Sequence, residues 1–148
     1  MTFKSEFGTL VCEGDTITCE VGKFHCVATL YRDDCGDAPD ERDCGFWPSL
    51  CPNSAGYIGA KSKRSLARHM AKAQGVLDAW KRDEWHYFGV AVTIEKDDVQ
   101  LVGQYDNALW GVEGNYPGAD NSYLRCVANE LLPEALDSAR AKLEQLAA

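Results

Sequence analysis

The stretch DTITCEVGKFHCVATLY, residues 15–31, decides the fold class of this chain. Polar and apolar side chains alternate from Thr16 to Val21, which is the period-2 pattern of a half-buried strand. Gly22 and Lys23 then turn the chain into a second strand over residues 24–31. Because so short a connection joins only antiparallel strands, the stretch predicts a β-hairpin. A further strand over residues 7–12 would extend the hairpin to an antiparallel meander.

A second set of strand patterns lies in the other half of the chain. Every second residue from 86 to 94 would point to the same face of a strand, and these residues are His86, Phe88, Val90, Val92 and Ile94. A tight turn at residues 96–98 leads into a predicted strand over residues 99–105, and a short strand is predicted over residues 108–112.

Two helical regions are predicted. In residues 61–82, apolar side chains recur every three or four positions at Leu66, Met70, Ala73, Leu77 and Trp80. The opposite face of this amphipathic helix carries Lys61, Arg64, Arg68, Lys72 and Arg82. Near the C-terminus, Asp120 or Asn121 is predicted as the N-cap of a helix. Pro133 lacks an N–H and clashes with the preceding turn, so a separate final helix is predicted to begin there.

These elements predict an α+β protein. We expect an antiparallel sheet of five to six strands, with one long amphipathic helix and C-terminal helices packed on it. At 148 residues, the chain is expected to form a single domain over residues 1–148. Residues 32–59 are expected to form a long irregular loop within that domain.

Charge is strongly segregated along the chain. Residues 61–82 hold seven of the fifteen basic side chains and one acidic side chain, so they carry +6. The whole chain carries −8, which leaves −14 for the remainder. Nucleic-acid-binding modules usually have a basic pI, whereas this chain has a pI of about 4.8. The balance therefore favours a protein partner with a basic surface over nucleic acid. No run of residues is apolar enough to predict a membrane span.

The loop over residues 32–59 has an acidic half and an aromatic half. The aromatic half includes Phe46, Trp47, Tyr57 and Ile58, which either anchor a partner or pack over one end of the sheet. The acidic half lacks the ligand spacing of a calcium loop, so we expect either a solvated loop or a binding surface. Its six carboxylates belong to Asp33, Asp34, Asp37, Asp40, Glu41 and Asp43.

Seven cysteines raise the question of a metal or a thiol chemistry. Structural zinc sites draw ligands in pairs two to four residues apart, and no CxxC occurs here. A site from Cys26, Cys35, Cys44 and Cys51, or one that uses His25, is unsupported by spacing. His25 and Cys26 are strand neighbours that point to opposite faces, so they cannot form a catalytic pair. With no GxSxG, HExxH or P-loop motif, we expect no catalytic residues, no metal and no cofactor.

Three runs carry a resemblance to known proteins: residues 33–50 (DDCGDAPDERDCGFWPSL), residues 55–73 (AGYIGAKSKRSLARHMAKA) and residues 110–124 (WGVEGNYPGADNSYL). They resemble a group of small proteins carried by proteobacterial phages, plasmids and other mobile elements. The likeness covers residues 14–136 and includes no catalytic motif, so it carries over no functional residue. It implies inhibition of a host defence system, of the anti-CRISPR or anti-restriction type, by stoichiometric binding.

The sequence thus leads to one main hypothesis and two alternatives. The main hypothesis is a non-enzymatic, cytoplasmic protein that binds a basic surface of a host CRISPR or restriction complex. Its expected binding residues are the six carboxylates of the acidic half and Trp47. A nucleic-acid-binding accessory protein would instead use the basic face formed by Lys61, Arg64, Arg68 and Lys72. A small metal-dependent or thiol enzyme is the second alternative. The oligomeric state is not determined by the sequence.

Overall fold

The computed structural model describes residues 2–34 and 36–148. The chain divides into two compact units. One, which we call the sheet unit, comprises Met1–Asp34 and His86–Ala148. The other, the loop–helix unit, comprises Cys35–Trp85. The α+β class is confirmed, and the single domain over residues 1–148 stays a prediction.

In the described residues, the sheet unit contains five antiparallel strands, the lower of the five to six that the sequence predicted. They are β1 (Thr16–Val21), β2 (Phe24–Arg32), β3 (His86–Lys96), β4 (Val99–Val102) and β5 (Ala108–Gly114). The order is β1-β2-β3, and β3 shares its second edge between β4 and β5. The hairpin of β1 and β2 closes at Val21 and Phe24, with Gly22 at a φ of 57°. Gly22 therefore supplies the left-handed backbone that a two-residue hairpin requires.

Helix α2 (Ser122–Ala147) is continuous, so the separate helix predicted from Pro133 is wrong. Pro133 removes the donor to the carbonyl of Asn129, which costs about 3 kcal/mol inside a helix. The proline side chain is exposed. On both sides of it, α2 buries apolar side chains worth about 1.5–3 kcal/mol each, which outweighs this cost. They are Leu124, Val127, Leu132 and Leu136. Asn121, one of the two residues predicted there, occupies the N-cap position, but its side chain makes no cap hydrogen bond to α2.

The core of the sheet unit lies between one face of the sheet and α2. Strand β3 supplies Phe88, Val90, Val92 and Ile94, which lie on the face that the alternating sequence pattern identified. The strand predicted over residues 7–12 is not formed, although Phe3, Phe7 and Val11 are buried in this core.

Asparagine side chains take the place of that missing strand. The Asn129 amide accepts from the Phe3 N–H at 2.8 Å and donates to the Phe3 carbonyl at 3.2 Å. The Asn115 amide likewise accepts from the Val11 N–H at 2.8 Å and donates to the Val11 carbonyl at 2.9 Å. A carboxamide has both a donor and an acceptor, so it can pair with an extended backbone as a neighbouring strand would. Hydrogen bonds to these asparagine side chains therefore hold the N-terminal segment without making it part of the sheet.

The loop–helix unit contains a short 3₁₀ helix (Pro39–Glu41) and helix α1 (Lys63–Lys81). Ser62 caps α1 by accepting a bond from the Ser65 N–H at 3.2 Å. The predicted stripe is confirmed at Ala73 and Leu77, which are buried, but Met70 is 39 % exposed. The buried stripe instead includes Val76, whose carbonyl accepts a bond from the indole of buried Trp85 at 2.8 Å. Neither helix of the described residues is long and apolar enough to cross a membrane.

The aromatic half of the loop packs on itself. Ser49 and Tyr57 form a parallel bridge, with the Ser49 N–H bonded to the Gly56 carbonyl at 2.8 Å. A Cβ at Gly56 would lie 1.8 Å from the carbonyl oxygen of Trp47, so only glycine fits this contact. The irregular segment is thus ordered by its own close packing.

Candidate protein-binding surface

The six predicted carboxylates are divided between the two units. Asp33 and Asp34 belong to the sheet unit, where the Arg32 guanidinium donates to Asp34 at 2.7 Å. The other four belong to the loop–helix unit. There, an open cavity of about 620 Å³ is lined by Gly36, Asp37, Glu41, Arg42, Asp43 and Cys44. Asp40, in the 3₁₀ helix, is exposed outside that lining.

Trp47 is engaged within its own loop. Its ring is half-buried and meets Phe46 edge-to-face, with centroids 5.2 Å apart. This packing orders the loop and leaves part of the ring accessible. A partner contact through Trp47 stays a prediction.

The predicted basic face is exposed. Arg64, Arg68 and Lys72 follow one side of α1 at four-residue spacing, and Lys61 precedes the helix. Lys63 and Arg64 lie in the first turn, where the helix dipole disfavours cations. These two cations therefore do not stabilise the helix.

The structure reveals a surface that the sequence reasoning missed. We call it the β5 patch: Tyr105, Leu109, Trp110 and Tyr123, whose exposed fractions are 74 %, 43 %, 42 % and 59 %. The Tyr105 and Trp110 rings stack at 6.4 Å between centroids. Leu109, Trp110 and Tyr123 line one groove. The ring stack and the shared groove link these four exposed side chains.

Trp110 is held in place by a glycine beneath it. A Cβ at Gly89 would lie only 2.3 Å from the Trp110 ring, so the indole lies directly on the β3 backbone. Tyr31, the β2 register partner of Gly89, lies beside it, with its ring centroid 6.5 Å from that of Trp110. The ring is therefore fixed in orientation while two-fifths of the residue remains exposed.

A β-bulge explains why the patch escaped prediction. The pairing of β3 with β5 shifts between Phe88 and Val90, and Gly111 has a φ of 75°. The extra residue at Trp110–Gly111 places Trp110 on the Gly89 face although Val112 packs in the core, so these two residues do not share a face as they would in a regular strand. The local signal was the glycine after Trp110, because a glycine inside a strand often marks a bulge.

A groove of about 430 Å³ lies beside the patch, within the sheet unit. One wall is β5 and the other is the loop that precedes α2 together with its first turn. Burial and the neighbouring Glu113 carboxylate raise the pKa of Tyr116. Hydrogen bonds from the Ser122 side chain and backbone lower the pKa of Asp120, which stays ionised at neutral pH. The groove thus combines aromatic walls with negative charge.

The structure also places the cysteines and histidines that the sequence raised as candidates for metal binding or catalysis. His25 contacts Glu20 across the hairpin, whereas Cys26 is opposite Cys19, so His25 and Cys26 do face apart. No group of three His, Cys, Asp or Glu side chains suited to a metal ion occurs in residues 2–34 and 36–148. Cys35 lies outside the described residues.

The thiols are expected to differ sharply in reactivity. Burial raises the pKa of Cys26 from 9.0 to about 12, and burial also raises that of Cys19. Cys12, Cys44 and Cys126 are exposed. At pH 8, iodoacetamide should modify Cys26 far more slowly than these exposed thiols, because the thiolate is the nucleophile and a pKa of about 12 in place of 9.0 lowers the thiolate fraction about a thousandfold. Mass spectrometry of timed digests measures this, and equal rates would contradict the buried placement of Cys26.

The same shift has a stability consequence at high pH. The Cys26 thiol has a higher pKa in the folded protein than in the unfolded chain. Its contribution to the free energy of unfolding is therefore fully present below pH 9 and is lost as the pH rises towards 12.

Comparisons of this chain with known protein families, with curated proteins and with solved structures give no match.

Proposed function

We propose that this chain is a non-enzymatic binding protein whose β5 patch contacts a protein partner with a basic surface. The observation that carries the proposal is the group of exposed side chains of Tyr105, Leu109, Trp110 and Tyr123, linked by a ring stack and a shared groove. Exposed apolar patches mark interaction sites, and Trp and Tyr are the residues that most often dominate binding energy. The stacked rings of Tyr105 and Trp110 lose little freedom on binding, which favours affinity.

Charge indicates which partner the patch suits. The sheet unit contains sixteen acidic and seven basic side chains, so it carries −9, whereas the loop–helix unit carries +1. A negative field around an apolar anchor accelerates encounter with a basic protein and disfavours an acidic one. This supports the partner class inferred from composition and moves its expected contact from the acidic loop to β5.

The resemblance described above supplies a narrower version of the proposal. A phage-encoded protein of this kind would act in the host cytoplasm as a stoichiometric inhibitor of a CRISPR or restriction complex. Such complexes hold nucleic acid in basic channels, which an acidic protein can occupy in its place. In this version, the captured partner is a defence nuclease or surveillance complex.

The test is affinity capture from the native host with matched variants. Wild type should retain one specific protein, and the double variant Trp110→Ala with Tyr105→Ala should lose it. Truncation of a Trp anchor typically costs at least about 2 kcal/mol, or about thirtyfold in affinity. The control is Arg64→Glu with Arg68→Glu, two exposed changes in the other unit, which should retain the partner. Equal capture by all three proteins would remove the β5 patch from the proposal.

The acidic half is tested in the same assay. Reversal of Asp33, Asp34, Asp37 and Asp40 to lysine should weaken binding and reduce its salt dependence if those carboxylates contribute to the field. Unchanged affinity would exclude these four carboxylates from the binding site.

A second candidate function rests on the exposed basic row of α1. Arg64, Arg68 and Lys72 could contact successive phosphates, with release of counterions. The alternative predicts retardation of DNA or RNA at low salt, abolished by Arg64→Glu with Arg68→Glu. Retardation that persists in this variant would rule out the row as the contact.

A further inference from the structure

We propose that the groove between β5 and the start of α2 receives an arginine side chain from the protein partner. This deepens and rests on the proposed function, because it names the group that the partner inserts beside the β5 patch. The groove is lined by Trp110, Tyr116 and Tyr123 together with the carboxylates of Glu113 and Asp120. A guanidinium stacks on aromatic faces and donates two parallel bonds to a carboxylate, so this composition matches its chemistry.

The dimensions of the groove suit a side chain. Its volume of about 430 Å³ lies within the range of small-ligand sites, and its lining includes Trp110, which is 42 % exposed. A partner that places an apolar surface on the β5 patch would therefore bring its neighbouring residues over the groove. The β5 patch and the groove share Leu109, Trp110 and Tyr123, so one partner surface can contact both.

A β-strand of the partner could in principle add to the edge of β5, but this edge is poorly suited to strand addition. Strand addition requires a regular row of backbone donors and acceptors along an exposed edge. The bulge shifts the β3 pairing across Leu109–Val112, and Gly111 has a positive φ. Bulges are one means by which proteins prevent edge-to-edge pairing. The groove at this bulge therefore recognises a side chain better than a backbone.

The charge of the lining selects the sign of the occupant. Two carboxylates in one groove attract a cation and repel a phosphate or a carboxylate. Between the two cationic side chains, the flat aromatic walls favour arginine over lysine, because guanidinium is planar and less strongly hydrated than ammonium. We therefore expect a preference for arginine, followed by lysine, with little binding of a neutral isostere.

The experiment is an NMR titration of the ¹⁵N-labelled full chain with three capped peptides. The probes are acetyl-Gly-Arg-Gly-amide, the same peptide with lysine, and the same peptide with citrulline, which has the shape of arginine without its charge. Arginine should shift the amide signals of residues 109–123 and bind at least fivefold more tightly than citrulline. Binding of citrulline as tight as that of arginine, or shifts centred elsewhere, would overturn the proposal.

A pair of variants tests the role of the carboxylate. Glu113→Gln keeps size and polarity and should weaken the arginine peptide at least fivefold. Glu144→Gln is the matched control, because it is the same exposed change 21 residues after Tyr123 along α2 and should have no effect. Equal loss in both variants would show only general charge attraction and would contradict a specific groove.

The two proposals can fail separately. If partner capture depends on Trp110 but no arginine peptide binds the groove, the protein-binding function stands and the arginine site is wrong. If arginine binds the groove but capture is independent of the β5 patch, the function through that patch is wrong.

Discussion

Replacement of Asn121 by alanine is expected to lower the free energy of unfolding by about 3–5 kcal/mol. The Asn121 amide donates to the Thr9 carbonyl at 2.9 Å, to Asn115 at 3.0 Å and, more weakly, to the Gly8 carbonyl at 3.4 Å. Its oxygen accepts from the Asn115 N–H at 2.7 Å. Asn121 is buried, so alanine would leave several polar groups without partners in a place that water reaches poorly.

The backbone adds to this effect. Asn121 has a φ of 68°, and asparagine tolerates the left-handed region better than alanine does, by about 1–2 kcal/mol. Asn121→Gly keeps the conformation and loses the bonds, so it should be less destabilising than Asn121→Ala by about 1 kcal/mol. Urea unfolding followed by far-UV circular dichroism measures both variants.

The matched control for this series is Asn53→Ala, the same change at an exposed position, which should fall within about 0.5 kcal/mol of wild type. Equal stability of Asn121→Ala and Asn53→Ala would show that the asparagine pairing contributes nothing to the fold.

The Asn121 pairing also shows where sequence patterns stop being informative. The hairpin and the core face of β3 follow from period-2 alternation, which is a local property, and both were predicted correctly. The partners of Asn115 and Asn129 lie 104 and 126 residues away in the chain, and no local pattern reports such a contact. The segment over residues 7–12 has the apolar residues of a strand, but its bonding partners are side chains.

The candidate site escaped prediction for a related reason. The acidic half of the loop was conspicuous as a composition, whereas the β5 patch is assembled by a bulge, a ring stack and the start of α2. Trp110 would have faced one side of a regular strand, together with every second residue. The extra residue beside Gly111 instead puts Trp110 on the opposite face from Val112, and only the pairing register shows this.

The second large effect is expected at Gly114. A Cβ there would lie 2.2 Å and 2.3 Å from two atoms of the Phe88 ring, well inside van der Waals contact. Phe88 is fully buried between the sheet and α2, so its ring cannot move aside without displacing other core side chains. Gly114→Ala should therefore destabilise by about 3 kcal/mol, the upper end of ordinary overpacking.

A double-mutant cycle tests this cause. Phe88→Leu creates space beside Gly114, so the pair Phe88→Leu with Gly114→Ala should be more stable than the sum of the single changes by at least about 1 kcal/mol. Urea midpoints of the four proteins give this coupling. Strict additivity would mean that the alanine methyl group meets something other than the Phe88 ring.

Gly89→Ala makes the same kind of clash on the other face, with a different expected result. Its Cβ would lie 2.3 Å from the Trp110 ring, but Trp110 is partly exposed and can swing towards solvent. The stability loss should therefore be smaller, about 1 kcal/mol or less. Because the displaced indole would leave its stack with Tyr105, the variant should lose partner capture as fully as Trp110→Ala. A Gly89→Ala protein that folds and still captures the partner would show that the fixed orientation of Trp110 is not what the partner recognises.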